Sequence, residues 1–255
     1  MDPAEWLPFM RELADRADAI AMRYFRSGDL QIDRKPDKSV VTQADLEVEA
    51  SIRDLVRVRH PELGVFGEEH GELTGDGQAR LIIDPIDATA NFARGIPVFA
   101  TLLGLEHEGE IIAGMVSAPA MRMRWHAARG HGAWCGDRRM HVSGVDVMSE
   151  AQIFHGSLAG VEAVPGVTDK IPALLARSKR QRGFGDFYQH LLVADGCGEI
   201  AIDAVVMPWD IAPLLVILEE AGGSATTLRG TRGIMGGSLI TSNRILHAEA
   251  LAAFS

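Results

Sequence analysis

Cysteine is scarce in this sequence, and long hydrophobic runs are missing from it. The 255 residues include 2 cysteines, Cys135 and Cys197, which form no CxxC pair or ligand-like cluster. We therefore expect reduced thiols in a cytoplasmic protein. No apolar run of about 18 residues occurs, which argues against a membrane span. Asp2 and Glu5 lie where a signal peptide would need apolar residues, so none is expected.

Basic charge is also in short supply. The chain has 25 Lys and Arg against 35 Asp and Glu, for a formal net charge of −10, without a basic stripe interleaved with aromatics. This pattern argues against nucleic acid as a partner. The 9 histidines are scattered and show no HExxH spacing, which argues against zinc. The excess carboxylates suit metal ions or cationic ligands, although a diffuse acidic surface is commonly only a solubility feature.

Hydrophobic periodicity in the first half of the chain predicts both helices and strands. Helical spacing predicts a first helix that ends near Gly28 and a second that closes before Pro61. Apolar runs predict a strand over 80–84, a hairpin over 98–118 around "EHEGE" and another hairpin around 130–132.

The second half continues this mixture. Residues 160–180 carry little pattern, whereas "GDFYQHLLVADG" and "WDIAPLLVILEEAGG" predict helices and "EIAID" and "GSLITSN" predict strands. The tail from Leu246 predicts a final helix. Because strands and helices mix without strict βαβ alternation, an α/β (mixed α+β) fold of layered sheets with helices between and outside them fits better than a Rossmann fold. Without a linker or repeat, we treat residues 1–255 as one unit.

Acidic residues stand at the ends of several predicted elements. They are Asp45 in "VTQAD", Glu68 in "GEE", Asp84 and Asp87 in "DPID", and Asp210 in "WD". Each has an ordinary explanation: Asp45 completes a weakened capping box with Thr42, Asp210 is an N-cap, and the others occupy solvated turns. Together they supply the several oxygen ligands that a hard divalent cation requires.

The stretch "IDPIDATANF" follows an apolar run, where an unpaired buried carboxylate is costly. Asp84 is able to bridge two metals while Asp87 holds one of them, and the Ile86 carbonyl offers a neutral ligand. A helix is predicted to begin at "ATANF", whose free N–H groups from Ala88 and Thr89 form an anion site beside the cations. This combination predicts a site for a phosphate ester.

The motifs also resemble a known family. "GEE", "DPIDATANF" and "WDIAPLLVILEEAGG" resemble the three signature stretches of the inositol monophosphatase family of magnesium-dependent, lithium-sensitive phosphatases. "DKSVVTQAD" matches its upstream segment, and order and spacing agree over essentially the whole chain. The resemblance implies a layered αβαβα sandwich of the inositol monophosphatase and fructose-bisphosphatase type. It also implies a small phosphate monoester as the substrate, with a homodimer and no membrane partner.

Carried over by position, the resemblance implies two or three Mg²⁺ ions. Glu68, Asp84 and the Ile86 carbonyl would bind one, and Asp84, Asp87 and Asp210 would bind the second. Glu68 and Thr89, the latter oriented by Asp45, would position the attacking water and help to deprotonate it. A metal-bound water ionises far more easily than bulk water.

One position departs from the family pattern, which is usually Asp-Gly-Thr and is here Asp87-Ala88-Thr89. Alanine keeps the backbone N–H and suits a helix start if φ is negative. If the position requires a positive φ, the methyl group costs about 1 kcal/mol and could misplace Thr89. We expect an intact site; a weakened or catalytically silent relative is the alternative.

The substrate is predicted from a separate stretch. Inositol phosphatases usually carry small residues where Phe184, Gly185 and Asp186 stand and a Glu where Asp203 stands, and "GDFYQHLLVADG" resembles the bacterial histidinol-phosphate phosphatases. Because histidinol phosphate carries an ammonium group and a partly cationic imidazole, Asp186 and Asp203 are predicted to bind the ammonium. The alternatives are that Asp186 is a plain N-cap and that Phe184 and Tyr188 belong to the core rather than to an imidazole slot.

The phosphate is expected to lie against Asp87, Ala88, Thr89 and Asp210. We therefore expect a Mg²⁺-dependent phosphomonoesterase that hydrolyses L-histidinol phosphate in histidine biosynthesis. Within the same class, the alternative is an inositol-1-phosphatase or a broad sugar phosphatase. Outside it, the alternative is a non-catalytic regulatory or RNA-associated relative, which only Ala88 favours.

Overall fold

The computed structural model describes residues 2–36, 39–158, 167 and 169–255. Its helices are α1 (Leu7–Tyr24), α2 (Gln43–Arg59), α3 (Thr89–Ala93), α4 (Lys170–Leu175), α5 (Asp186–Ala194), α6 (Pro208–Glu220) and α7 (His247–Ala252). Its strands are β1 (Ile32–Arg34), β2 (Val40–Thr42), β3 (Gly64–Gly67), β4 (Gly71–Leu73), β5 (Ala79–Asp87), β6 (Ala100–His107), β7 (Glu110–Ala118), β8 (Met123–Ala128), β9 (Gly132–Cys135), β10 (Arg138–Arg139), β11 (Gln152–His155), β12 (Arg180–Gly183), β13 (Ile200–Asp203), β14 (Ser224–Thr226) and β15 (Leu239–Ser242).

Within these described residues, the strands form one large sheet, one smaller sheet and a two-stranded ribbon of β1 and β2. The large sheet has the order β10-β9-β8-β7-β6-β5-β3-β4 and is antiparallel except for the parallel pair β3 and β5. The smaller sheet has the order β12-β11-β13-β15-β14, in which β11 runs parallel to both of its neighbours.

Helices and sheets alternate in layers. Helices α1 and α2 cover one face of the large sheet, in a core that includes Leu13, Ile52 and Leu81. Helices α5 and α6 fill the space between the two sheets. Helices α4 and α7 cover the outer face of the smaller sheet with Leu174 and Ala250. This arrangement confirms the predicted αβαβα sandwich.

Helix α6 lies in the middle layer because it is apolar on every side. Residues 211–218 are all buried, and a helix that is hydrophobic all round requires burial on all faces. Gly104 and Gly114 are directly opposed on β6 and β7 and face this helix. A Cβ at either glycine would lie 2.7 Å from a side-chain atom of α6, so the two glycines allow the helix to approach the sheet closely.

The predicted elements lie near their expected positions, and the hairpins over 98–118 and around 130–132 are confirmed as β6–β7 and β8–β9. Helix α1 ends at Tyr24 rather than near Gly28, because Phe25 leaves the helical conformation with ψ of 119° and Arg26 after it is left-handed with φ of 59°. Strand β5 extends beyond the predicted residue 84 because the "DPID" stretch itself pairs with β6. Part of the weakly patterned stretch 160–180 lies outside the described residues. In the described part of the chain, every helix is too short or too polar to span a bilayer.

Candidate active site

The end of strand β5 directs two aspartates toward α6. Leu81 and Ile83 face α1 and α2, whereas Ile82 faces α6, so the alternation of a strand places Asp84 on the α6 side. Asp84 pairs with Leu102 and Asp87 with Ala100, so β5 has one extra residue between these pairs. This bulge brings Asp87 to the same face as Asp84, which an uninterrupted strand would not do over three residues.

Helix α6 supplies the third aspartate of the cluster. Asp210 is the third residue of α6, and its Oδ2 accepts a hydrogen bond of 2.8 Å from the Met207 backbone N–H. The interpretation of Asp210 as an N-cap is therefore wrong: Met207 is the N-cap, and Asp210 reaches back to it. Ligand atoms of Asp84, Asp87 and Asp210 all lie within 4.8 Å of one another.

These carboxylates require a compensating cation. Asp84 is 2% exposed, and its Oδ1 is buried without a hydrogen-bond partner among the described residues. Burial, and then repulsion from Glu68 and the other aspartates, raises the pKa of Asp84 well above its usual range. Burial likewise raises the pKa of Asp210 to about 7. An all-oxygen donor set with an orphaned buried oxygen fits a hard divalent cation.

Glu68 lies in the turn after β3, which two residues not singled out from the sequence hold in place. Lys35 Nζ contacts Glu68 Oε1 at 2.7 Å and Glu69 Oε1 at 2.8 Å. Glu49 of α2 is fully buried and accepts hydrogen bonds from the Glu69 and His70 backbone N–H groups at 2.8 and 3.1 Å. The one available signal for Glu49 was its helical spacing to Arg53, which forms its ion pair.

Asp45 and Thr89 meet beside this cluster. Asp45 forms the predicted capping box with Thr42, accepting from its backbone N–H and its hydroxyl through Oδ2. Its other oxygen, Oδ1, lies 3.3 Å from Thr89 Oγ1, which donates to the Ile86 carbonyl at 2.9 Å. Burial raises the pKa of Asp45 to about 7.

Ala88 adopts the conformation that alanine disfavours. Its φ is 64° and its ψ is 44°, so of the two conformations considered for this position the left-handed one holds. Thr89 nevertheless remains within reach of Asp45. The Asp87 carboxylate accepts a hydrogen bond from the Phe187 backbone N–H at 2.8 Å.

Of the residues predicted to contact the substrate, some line one cavity and Phe184 lies outside it. Asp186 and Asp203 line a cavity of about 70 Å³ together with Asp87 and Asp210. Phe184 is 44% exposed and packs against Phe154 and Tyr188 outside the residues that line this cavity.

Asp186 is the first residue of α5 and not its N-cap, which is Gly185 with a φ of 73°. Among the described residues, Asp186 has no hydrogen-bond or ion-pair partner, and desolvation followed by repulsion from Asp203 raises its pKa to about 6. Asp203 is instead held by Gln189 and His190. Asp186 is therefore an exposed residue that lines the cavity and has no counter-charge among the described residues.

A larger cavity of about 380 Å³ lies elsewhere, between Arg80 and Arg232. Both arginines are already paired with glutamates, Arg80 with Glu106 and Arg232 with Glu110. The smaller cavity, with its uncompensated carboxylates, is therefore the better candidate for the active site.

Comparison with known proteins identifies the class to which this fold and site belong. Residues 2–255 match the inositol monophosphatase family, and the chain belongs to that family, whose enzymes use divalent metal ions. The prediction of the family from the sequence motifs is confirmed.

Individual relatives are similar over nearly the whole chain. A histidinol-phosphatase of Mycobacterium tuberculosis is 42% identical over 94% of both chains, and an inositol-1-monophosphatase of Mesorhizobium japonicum is 32% identical over 88% of this chain and 86% of its own. Among solved structures, the extragenic suppressor protein SuhB from Bartonella henselae superimposes with a TM-score of 0.88 at 30% identity, covering 96% of both chains.

Proposed function

We propose that this protein is a Mg²⁺-dependent phosphomonoesterase that hydrolyses L-histidinol phosphate to L-histidinol and phosphate. The observation that carries the proposal is Asp186, an accessible carboxylate without a counter-charge that lines the same cavity as Asp87 and Asp210. A substrate with an ammonium group near its phosphate would supply that counter-charge. Relatives named histidinol-phosphatase, at 34 to 42% identity, support the same substrate.

The residues of the carboxylate cluster fit the metal set of the family. In the proposed arrangement of two or three Mg²⁺ ions, Glu68, Asp84 and the Ile86 carbonyl would hold one ion, and Asp84, Asp87 and Asp210 would hold the second. When bound, the cations supply acidification of water and neutralisation of charge on the phosphoryl oxygens.

Thr89 and Asp45 form the proton-handling part of the site. Glu68 and the Thr89 hydroxyl position the attacking water, and Asp45 receives its proton by way of that hydroxyl. A pKa near 7 suits Asp45 to accept and release a proton near neutral pH. The Thr89 hydroxyl has one proton, so the relay requires this proton to turn from the Ile86 carbonyl at 2.9 Å to Asp45 Oδ1 at 3.3 Å while a lone pair of Oγ1 accepts the proton of the water.

Asp186 and Asp203 bind the ammonium group of the substrate. Desolvation, and then repulsion from Asp203, raises the pKa of Asp186, so an ammonium between the two carboxylates removes a repulsion as well as forming charge-assisted hydrogen bonds. The hydroxyl groups of inositol would compensate neither charge.

Phosphate release from L-histidinol phosphate, inositol-1-phosphate and glycerol phosphate tests the proposal. We expect wild-type kcat/KM to be highest for L-histidinol phosphate by at least about tenfold. Asp186→Asn should lower kcat/KM for that ester by about ten- to a hundredfold, the value of a charge-assisted hydrogen bond, and should affect glycerol phosphate far less.

Asp195→Asn is the matched control, because Asp195 is a carboxylate just after α5 that pairs with Arg138 and does not line the cavity. Equal losses on all esters in Asp186→Asn would show that Asp186 is structural. A wild-type preference for inositol-1-phosphate would replace the proposed substrate.

From the family we also propose that the enzyme is sensitive to lithium, forms a homodimer and is cytoplasmic. The tests are inhibition of phosphate release by Li⁺, sedimentation as a homodimer and recovery in the cytoplasmic fraction.

A further inference from the structure

Asp203 is held in place by two neighbouring residues of α5 that no motif singled out. Its Oδ2 accepts hydrogen bonds from Gln189 Nε2 at 2.5 Å and from His190 Nε2 at 3.0 Å. Gln189 and His190 are 0% and 1% exposed. The donor side of the Gln189 amide is required here, because its other partner, the Ile202 carbonyl at 3.2 Å, is also an acceptor.

His190 is in turn fixed by the smaller sheet. Its Nδ1 lies 2.9 Å from the hydroxyl of Thr241 on β15, the strand that pairs with β13. Because Nε2 faces a carboxylate oxygen, it donates to Asp203, and Nδ1 forms the second hydrogen bond of the ring with the Thr241 hydroxyl. Thr241, His190 and Asp203 thus form a hydrogen-bonded chain from β15 through α5 to β13.

The other oxygen of the Asp203 carboxylate lies beside Gly156. A Cβ at Gly156 would overlap Asp203 Oδ1, so this glycine leaves the space that Oδ1 occupies. The carboxylate is therefore held through Oδ2 and has room for Oδ1 beside the glycine. An exposed aspartate at a strand end would instead rotate among several rotamers.

The same helix carries Asp186. His190 follows Asp186 by four residues, which places both on one face of α5, and both line the cavity that contains Asp87 and Asp210. One helix thus contributes one acidic group directly and orients the other.

We propose that Gln189 and His190 are positioning residues that set substrate specificity by holding the Asp203 carboxylate toward the ammonium group of the substrate. The proposal rests on the proposed function, and it adds two residues that do not themselves contact the reacting atoms. A bound ammonium gains from a carboxylate that is already oriented, because less conformational entropy is lost on binding.

The kinetic test uses Gln189→Leu and His190→Leu, which remove the donors and keep an apolar side chain of similar size. We expect each to raise KM for L-histidinol phosphate about tenfold, with kcat and the kinetics on glycerol phosphate changing less than about threefold. His190→Gln keeps an N–H near the position of Nε2 and should recover most of the loss.

His247→Leu is the matched control. His247 links α7 to the same sheet through Thr226 and Ser242, and it does not line the cavity. A KM increase of equal size on both esters, or the same increase in His247→Leu, would overturn the proposal and assign these residues a purely structural role.

A crystal structure of His190→Leu separates this inference from the proposed function. A rotated Asp203 carboxylate supports the positioning role, and an unmoved one overturns it, whichever ester proves to be the substrate. If wild-type enzyme shows no preference for L-histidinol phosphate, the proposed function fails, and the crystal structure still decides whether His190 orients Asp203.

Discussion

Ala88→Gly tests whether the left-handed backbone before Thr89 is a strained feature of this site. An L-residue with a side chain in this region costs about 1–2 kcal/mol relative to glycine. Against this gain, glycine loses more conformational freedom on folding, by about 0.4–1 kcal/mol. The methyl group of Ala88 also packs partly against the cluster of Ile86, Phe92 and Phe99, and its loss costs at most about 0.8 kcal/mol. We therefore expect the stability of Ala88→Gly to lie within about 0.5 kcal/mol of wild type.

Ala90→Gly is the matched control for this variant. Ala90 is an exposed residue inside α3, where φ is helical and no strain is relieved, so glycine should destabilise the protein by about 1 kcal/mol. The unfolded-state cost of glycine is common to both variants and cancels in their difference. Ala88→Gly should therefore be the more stable variant by about 1 kcal/mol, which corresponds to about 2–4 °C in Tm.

Urea unfolding measures the stability of the two glycine variants, and phosphate release measures their activity. Because Thr89 already lies within reach of Asp45, we expect kcat/KM to change less than about tenfold in Ala88→Gly. Equal destabilisation by both glycine variants would refute the argument from strain. A rise in activity of several hundredfold would show that the native loop holds Thr89 in a poor position and that the chain is a decayed enzyme.

Other perturbations test the carboxylates. Asp84→Asn should abolish most activity yet stabilise the metal-free protein, because it removes a buried carboxylate that its acidic neighbours repel. In calorimetry, Mg²⁺ at a hundredfold its Kd should stabilise wild type by about 2.7 kcal/mol and should stabilise this variant far less. In metal-free protein, the pKa values of Asp45 and Asp210 are raised from 3.8 to about 7, so the folded state binds more protons between these values and Tm should fall as pH rises from 4 to 7. Saturating Mg²⁺ should flatten that slope, and an unchanged slope would contradict a shared cation site. Glu49→Gln should lower the free energy of unfolding in urea by about 2–3 kcal/mol, because the turn that carries Glu68 loses the buried carboxylate that holds it. It should also raise the Mg²⁺ concentration needed for half-maximal activity. A normal Mg²⁺ dependence would show that Glu49 acts on stability alone.

The carboxylates of the site could be predicted from sequence because they violate a local rule. Asp84 and Asp87 follow an apolar run, where charge is costly, and only a cation or ion pair makes such a placement stable. The all-apolar character of 211–218 likewise predicts a buried helix without any knowledge of its neighbours. The layered arrangement follows from signals of this kind, which depend on residues close together in the chain, whereas the family was predicted from the resemblance of its motifs.

Features that depend on contacts between distant segments were not predictable. The bulge that turns Asp87 toward Asp84 arises from pairing with β6, and the left-handed φ of Ala88 follows from that turn. The N-cap interpretations of Asp186 and Asp210 failed because a cap depends on backbone geometry one to three residues away, which residue type alone does not determine.

The partners of the acidic residues show most clearly what the sequence predicts and what only the tertiary structure decides. Lys35 reaches Glu68 from 33 positions away, and His190 reaches Thr241 from 51 positions away. Sequence determined which residues carry charge and which segments must be buried, because those are properties of single side chains and their near neighbours. Tertiary structure alone decided which carboxylates are paired and which, like Asp186, are left without a counter-charge for a substrate to supply, because that depends on where the folded chain places every other donor.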